Sequence, residues 1–468
     1  MSTENLNDID LRRLISHGRM GAFQFAALAV CVGLNMLDGF DVLVMSFTAS
    51  GVSAEWKLSG RELGLLISAG LVGMAAGSLF LAPRADRFGR RTIVLASVVI
   101  VSIGMLLSGF SRSVLMLGVL RVITGIGIGG ILACATVLVA EYSSERWVST
   151  ASCIYTAGYS LGATAGGAVA ALLIARYGWR SAFQFGALTS VLMLPMVYWG
   201  LPESLAFLIS RRPPDALSRL NRLLARMHVA PVAALPERGP LETGAAGPAM
   251  RRLLAAPFAR PTVLIWIAFF FMMAGYYFVF GWTPRLLTAS GLTAQQGITG
   301  GVLLSLGGIV GTVLFAFIAG VLEIRRLTCA CLLAASALMA LFAFTTTHLA
   351  LALITGVVLG GLANGAMAGF YAVTPTLYQP DVRTTGMGWA IGIGRFGAIA
   401  SPIATGVLVD HGWRPMQLYL AFTSLFLIAM MALAGISTPG AGWIRVRQVT
   451  RNYRAEPIGR LEKFNEPS

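Results

Sequence analysis

Apolar runs of about twenty residues recur along the whole chain, and they limit the fold more than any other feature. An α-helix of about twenty residues crosses the hydrocarbon core of a bilayer, which is about 30 Å thick. Helices satisfy their own backbone hydrogen bonds there, so such runs favour membrane-spanning helices. Twelve spans are predicted, at approximately 22–48, 62–82, 92–110, 114–140, 149–174, 181–201, 261–284, 297–322, 327–346, 349–378, 384–409 and 414–436.

Composition and charge agree with a membrane protein. Hydrophobic residues make up 56% of the chain and charged residues only 12%, whereas about 25% is usual in soluble domains. The net charge of +15 could indicate a nucleic-acid partner, but 26 of the 35 lysines and arginines fall in the segments on one side of the predicted spans and 7 on the other. By the positive-inside rule, both termini are predicted to be cytoplasmic. We therefore expect a lipid bilayer around the protein and no nucleic-acid partner.

The chain also resembles two copies of one unit. Gly178-Trp179-Arg180 follows the fifth span and Gly412-Trp413-Arg414 follows the eleventh, an offset of 234 residues. Such a repeat predicts an all-α membrane protein with twelve transmembrane helices in two pseudo-symmetric six-helix bundles. Parallel repeats that enclose a site near the membrane midplane are a transporter design. The predicted parts are an N-terminal bundle at 1–202, a cytoplasmic linker loop at 203–260, a C-terminal bundle at 261–439 and a cytoplasmic tail at 440–468.

Polar side chains interrupt the first span. Asn35, Asp38 and Asp41 are three residues apart, which places them on one helix face. A carboxylate at the centre of a membrane helix costs roughly 2.5–3.5 kcal/mol, so such residues usually serve a function. We predict that Asp38 and Asp41 couple transport to protons, because two neighbouring carboxylates cannot both ionise cheaply, and that Asn35 binds substrate. The alternative is a structural role, with the acids paired to Arg121 or to another donor.

An anionic substrate needs a positive partner in the cavity. Arg395, flanked by glycines in the eleventh span, is the preferred candidate, because a guanidinium can bind a carboxylate through two hydrogen bonds. Arg121 is the second candidate, and either arginine could instead form a salt bridge or extend to the interface. Tyr276 and Tyr277 in the seventh span could stack on an aromatic ligand. An interfacial aromatic belt explains Trp282 and Tyr277 equally well.

The loop after the second span reads Asp86-Arg87-Phe88-Gly89-Arg90-Arg91. This segment resembles the Gly-x-Leu-Ala-Asp-Arg-x-Gly-Arg-Arg signature of the major facilitator superfamily. The resemblance implies a cytoplasmic gate that locks the two halves while the cavity faces outward. Its predicted residues are Asp86, Arg87, Gly89, Arg90, Arg91, Glu141, Glu323 and Arg325.

The segments Asp38-Gly-Phe-Asp41 and Gly386 to Gly397 resemble elements of the aromatic acid:proton symporter family within that superfamily. The resemblance implies proton-coupled uptake of an aromatic carboxylate, similar to benzoate or hydroxybenzoate, by alternating access. The expected partners are a small organic anion and a proton. We expect no cofactor beyond the proton gradient, a location in the inner membrane and a functional monomer.

Other functions stay open at this point. A symporter or exporter of a non-aromatic organic anion, such as a muconate-like dicarboxylate or a nicotinate-like acid, would need similar charges. A receptor would need a larger cytoplasmic domain than the predicted linker and tail provide. A membrane-embedded enzyme would need a nucleophile with its base, or a metal set, yet none of the four histidines lies in a predicted span. We therefore predict neither an enzyme nor a metal site.

Overall fold

The computed structural model describes residues 20–144, 146–227, 229–235, 246–255, 258–346, 348–378 and 380–436. The predicted tail at 440–468 and part of the predicted linker lie outside these residues. The helices are α1 (Ala22–Trp56), α2 (Gly60–Phe88), α3 (Arg90–Ser108), α4 (Val114–Tyr142), α5 (Val148–Tyr177), α6 (Arg180–Gly200), α7 (Leu205–Arg211), α8 (Ala216–Arg226), α9 (Ala246–Leu253), α10 (Ala259–Ala289), α11 (Ala294–Ile318), α12 (Ile324–Thr345), α13 (Leu349–Val373), α14 (Pro380–Asp410) and α15 (Pro415–Ala434).

Twelve of these helices, α1 to α6 and α10 to α15, are long and apolar enough to cross a membrane. The predicted all-α architecture of twelve spans in two six-helix bundles is therefore confirmed, and the protein is a multi-pass membrane protein. The exact domain boundaries stay predictions. The linker contains a short helix, α8, which buries Leu220 and Leu224 completely. The amphipathic pattern of this helix thus serves packing against protein.

The internal repeat is visible in the backbone of two equivalent turns. Gly178 follows α5 with a φ of 80°, and Gly412 follows α14 with a φ of 82°. Glycine adopts this region of positive φ at little cost, whereas other residues rarely do. Both halves therefore place a glycine of positive φ in the turn before the next span begins.

Close contact between α1 and α5 sets the orientation of the polar face of α1. A Cβ atom added to Gly39 would lie 1.9 Å from the carbonyl oxygen of Tyr159, and one added to Gly162 would lie 1.9 Å from that of Met36. Only glycine fits at either position. Small residues allow such backbone approach between membrane helices. The middle of α1 is thereby fixed against α5, beside the two acids of the α1 face.

The antiparallel run of successive spans gives the protein two ends. We call the end that carries Glu141 and Glu203 the linker face, because the chain enters the linker there. The opposite end, which carries Trp56 and Trp179, is the far face; the rings of these two tryptophans pack edge to face with centroids 5.4 Å apart.

The two bundles meet along the far half of α2 and α14. Ser68 donates a hydrogen bond to the carbonyl of Ile399 at 2.7 Å, and a Cβ atom on Gly64 would lie 2.3 Å from the carbonyl oxygen of Pro402. In the described part of the chain, the hydrogen bonds that join the two bundles all lie in the far half of the protein: Ser50 to Thr288, Gly60 to Asp410, Arg61 to Asp410 and Ser68 to Ile399.

The linker half of α14 is not packed in this way. A Cβ atom added to Gly388 or Gly392 would meet nothing within 4 Å. A groove of about 340 Å³ runs along this part of the helix, lined by Thr385, Gly388, Trp389, Gly392, Ile393 and Phe396. The described conformation is therefore closed at the far face and open toward the linker face.

Candidate functional site

The polar face of α1 is buried at mid-depth. Asn35, Asp38 and Asp41 are each 4% exposed. The side chain of Asn35 donates a hydrogen bond to the carbonyl of Tyr155 on α5, at 2.6 Å. The amide therefore helps to hold α1 against α5, and the two carboxylates follow it along the helix.

Asp41 is neutralised within its own bundle. Its carboxylate accepts a hydrogen bond from Arg121 on α4 at 2.9 Å, and both side chains are almost completely buried. The guanidinium also lies 5.0 Å from the centroid of the Phe183 ring. A buried ion pair of this kind is costly to break, because the remaining charge is left without a partner.

Asp38, one turn away, has no such partner. It makes no hydrogen bond with the described residues, and one of its carboxylate oxygens is buried and unsatisfied. The positive charge that interacts electrostatically with Asp38 is that of Arg395, which belongs to the other bundle. A buried carboxylate without hydrogen-bond donors pays a large desolvation cost when it is ionised. The chemistry of this position therefore suits a group that gains and loses a proton.

Arg395 lies at the middle of α14 and is partly buried. It makes no hydrogen bond or ion pair with the residues that the structure describes. Its neighbour Gly397 contacts α10, where an added Cβ atom would lie 2.1 Å from the carbonyl oxygen of Phe270. This contact holds α14 against α10 and leaves the guanidinium free to bind a carboxylate.

Tyrosines from both bundles surround these two charges. Five of them are close enough to interact electrostatically with Asp38: Tyr155 and Tyr159 on α5, Tyr276 and Tyr277 on α10, and Tyr371 on α13. Tyr277 and Tyr371 also lie within reach of Arg395. The aromatic pair on α10 was predicted from the sequence, whereas Tyr155, Tyr159 and Tyr371 were not. A single tyrosine within an apolar run carries no local signal of a site.

Trp282, the possible member of an aromatic belt, is 1% exposed. It is thus packed inside the protein, and the belt is the wrong explanation for this residue. The ring of Tyr276 stacks on Phe280 with centroids 4.4 Å apart. The aromatic segment of α10 therefore faces the protein interior rather than lipid headgroups.

The predicted gate residues form an ionic cluster at the linker face. Arg90 pairs with Glu141 on α4 and more weakly with Asp86, at 3.4 Å. Gly89 makes the turn between α2 and α3 with a φ of 98°. The side chain of Asp86 is 66% exposed, which agrees with an open linker face. Arg87 lies over the ring of Phe88, with its guanidinium carbon 5.5 Å from the ring centroid.

The other predicted gate residues also make local contacts. Arg91 hydrogen-bonds the carbonyl of Tyr198 at the end of α6. In the second bundle, Glu323 pairs with Arg325 at 3.5 Å and with Arg326 at 2.8 Å. Each of these contacts joins residues of the same bundle, so none of them links the two bundles in the described part of the chain.

Glu203 contributes to the linker face in a way that sequence reasoning missed. Its carboxylate accepts hydrogen bonds from the backbone N–H groups of Ser204 at 2.8 Å and of Arg91 at 3.2 Å. Burial raises the pKa of Glu203 above its ordinary value, and these donors offset part of that effect. The residue ties the end of α6 to the loop between α2 and α3.

Asp410 joins the two bundles at the far face, and it too was missed. One oxygen accepts a hydrogen bond from the N–H of Gly60 at 2.5 Å, and the other accepts one from the N–H of Arg61 at 2.8 Å. A carboxylate at a helix N-terminus satisfies free N–H groups and interacts favourably with the helix dipole. We call this contact of Asp410 with the start of α2 the far-face clamp.

Comparison with known proteins agrees with this geometry. The sequence pattern described as the Major Facilitator Superfamily matches residues 28–355. A gallate transporter of Pseudomonas putida is 34% identical over 93% of this chain and 96% of that protein. The 4-hydroxybenzoate transporter PcaK of Pseudomonas aeruginosa is 30% identical over 92% of this chain and 96% of that protein.

Among solved structures, the inward open conformation of the xylose transporter XylE from E. coli shares the fold. Its TM-score is 0.71 at 17% sequence identity, and the match covers 91% of this chain and 99% of that one. The superfamily that the loop motif predicted is confirmed over most of the chain. The chain belongs to the Major Facilitator Superfamily.

Proposed function

We propose that this transporter moves an aromatic carboxylate together with protons into the cell by alternating access. The observation that carries the proposal is the pair of uncompensated charges, Asp38 and Arg395, which lie at mid-depth in opposite bundles. Two relatives, a gallate transporter and a 4-hydroxybenzoate transporter, support the substrate class.

In this proposal Arg395 binds the substrate carboxylate, and the surrounding tyrosines contact its ring. A guanidinium fits a carboxylate through two charge-assisted hydrogen bonds. Phenol rings can contact an aromatic ligand by stacking or edge to face. Arg121 is the weaker candidate for this role, because its ion pair with Asp41 already engages it.

Asp38 is the proposed proton carrier. In the empty cavity the charge of Arg395 favours the ionised form of Asp38. When a substrate carboxylate neutralises Arg395, Asp38 loses this support and takes up a proton, so that substrate and proton bind together. The same coupling must hold in reverse, because binding linkage is reciprocal. Release of the substrate on the other side then favours release of the proton.

In the proposed cycle, the two ends of the contact between α2 and α14 open and close in turn. In the described state the far-face clamp is closed, and the gate cluster around Asp86 faces an open linker face. We propose that the other state opens the clamp and brings the gate cluster of the first bundle against the second. The excess of basic residues supports a cytoplasmic linker face. An inner-membrane location and a functional monomer are part of the same proposal.

Uptake into proteoliposomes tests the proposal. The purified protein should accumulate labelled 4-hydroxybenzoate when the lumen is made alkaline, and a protonophore should abolish the accumulation. Unlabelled benzoate and gallate should compete, whereas a muconate-like dicarboxylate should not. Competition by the dicarboxylate alone would favour the non-aromatic alternative. The absence of gradient-driven accumulation of any of these acids would reject proton symport.

A further inference from the structure

An asparagine lies at mid-depth in the second bundle, where an amide is costly. Asn364 is in the middle of the span formed by α13, and the other amides of α10 to α15 lie in the first turns of their helices. An amide removed from water needs hydrogen-bond partners to offset its desolvation. The cost of an amide at this depth therefore indicates that Asn364 has a specific function there.

Tyr276 and the backbone of α13 satisfy only part of this amide. The hydroxyl of Tyr276 donates to the side-chain oxygen of Asn364 at 3.3 Å, and the amide nitrogen donates to the carbonyl of Gly360 at 3.1 Å. An asparagine side chain has two N–H donors and two acceptor lone pairs. One donor and one acceptor site thus remain, as do the lone pairs of the Tyr276 hydroxyl.

The protein keeps the amide and the tyrosine in fixed places. A Cβ atom added to Gly308 on α11 would lie 2.4 Å from the amide nitrogen of Asn364. Glycine at this position gives the amide its room. The ring of Tyr276 is held against Phe280 by stacking, with centroids 4.4 Å apart. The room beside Gly308 and the stacking on Phe280 therefore favour the observed placement of the two side chains.

This pair lies close to the two charges already described. Tyr276 lies within electrostatic reach of both Asp38 and Tyr371. Tyr371 follows Asn364 by two turns on the same face of the span, and it lies within reach of Arg395. A ligand whose carboxylate binds Arg395 can therefore direct the other end of its ring toward Asn364.

We propose that Asn364 and Tyr276 bind a ring hydroxyl of the substrate, so that the preferred substrates are hydroxylated aromatic carboxylates. This inference rests on the proposed function. A ring hydroxyl can donate to the oxygen of Asn364 or Tyr276 and accept from the free amide N–H. An unsubstituted ring leaves these groups unpaired, and sites built to bind a hydroxyl discriminate against analogues that lack it.

Calorimetric binding to the full chain in nanodiscs tests this inference, with benzoate, 3-hydroxybenzoate and 4-hydroxybenzoate as probes. The wild type should bind at least one hydroxybenzoate about tenfold more tightly than benzoate, as one added hydrogen bond would give. Tyr276→Phe keeps the stacked ring and removes the hydroxyl, and Asn364→Leu removes the amide at similar volume. In each variant, the ratio of the dissociation constant of benzoate to that of the preferred hydroxybenzoate should fall close to one.

Tyr419→Phe is the matched control. The Tyr419 hydroxyl donates to Thr283 at 2.9 Å, and the residue is fully buried in the same bundle, so the control loses a tyrosine hydrogen bond and should keep the wild-type ratio. Equal binding of all three acids by the wild type, or an unchanged ratio in Tyr276→Phe, would overturn the inference while leaving the proposed function intact. If none of the three acids binds, the proposed function itself fails. Should Asn364→Leu not fold, Tyr276→Phe decides alone.

Discussion

The two bundles handle buried charge differently. The first buries three charged side chains at mid-depth, of which Asp41 and Arg121 neutralise each other and Asp38 remains. The second holds Arg395 among aromatic residues, without an ion pair in the part of the chain that the structure describes. Each bundle thus presents one uncompensated charge to the shared cavity, and the two charges have opposite signs.

This difference predicts distinct roles for the two kinds of charge. A neutralised pair inside one bundle moves as a unit and contributes no net charge to the cavity. An acid in one bundle and a base in the other attract each other across the cavity, so a bound anion or proton changes how the bundles interact. Two acids on the same helix face can therefore have distinct roles.

The largest expected effect is a difference in stability between variants of the two acids. Asp41→Asn leaves Arg121 buried without its counter-charge, and breaking a buried pair costs about 3–5 kcal/mol. Asp38→Asn removes an unpaired carboxylate, so the free energy of unfolding should stay the same or rise. Thermal unfolding in detergent compares the two variants. The double variant Asp41→Asn with Arg121→Gln should recover much of the loss. A similar loss in both single variants would erase the distinction between the acids.

Substitution of Arg395 tests the charge of the second bundle. Arg395→Gln removes the partner of the substrate carboxylate, and a hydrogen bond to a charged group is worth about 1.5–3 kcal/mol, or roughly a tenfold to hundredfold loss of affinity. Arg395→Lys keeps the charge but loses the two-point geometry, so it should lie between wild type and Arg395→Gln. Calorimetric titration with 4-hydroxybenzoate measures both. Wild-type affinity in Arg395→Gln would move the anion site elsewhere.

The far-face clamp gives a smaller effect, on conformation rather than on binding. Asp410→Asn removes the negative charge at the start of α2, which should weaken the clamp by about 1 kcal/mol. Spin labels at Arg176 and Gln295, both exposed near the far face, should report longer distances in this variant. Glu62→Gln is the control, because Glu62 bonds only its own helix start. An unchanged distance distribution in Asp410→Asn would show that the clamp does not hold the far face closed.

The sequence predicted the repetitive and local features well. The twelve spans followed from hydropathy, and the equivalent positions of Gly178 and Gly412 followed from the repeat. The shared face of Asp38 and Asp41 followed from helical spacing. The ionic cluster around Arg90 followed from a motif whose residues are close in the chain.

Features that depend on the mutual rotation of distant helices were not predictable. Spacing along α1 predicted proton coupling by both acids, and it does not say which of them faces Arg121, 80 residues away. Tyr371 resembles any other aromatic residue in an apolar run. Asp410 resembles a solvated acid at a helix end, and its partners on α2 lie 350 and 349 residues away.

Transport by Asp38→Asn tests the central claim most directly. In proteoliposomes preloaded with unlabelled 4-hydroxybenzoate, exchange of the labelled acid needs no net proton movement, whereas accumulation against a gradient does. The account predicts that Asp38→Asn keeps exchange and loses accumulation driven by an alkaline lumen. Proton-driven accumulation at the wild-type level in this variant would contradict the assignment of Asp38 as the proton carrier.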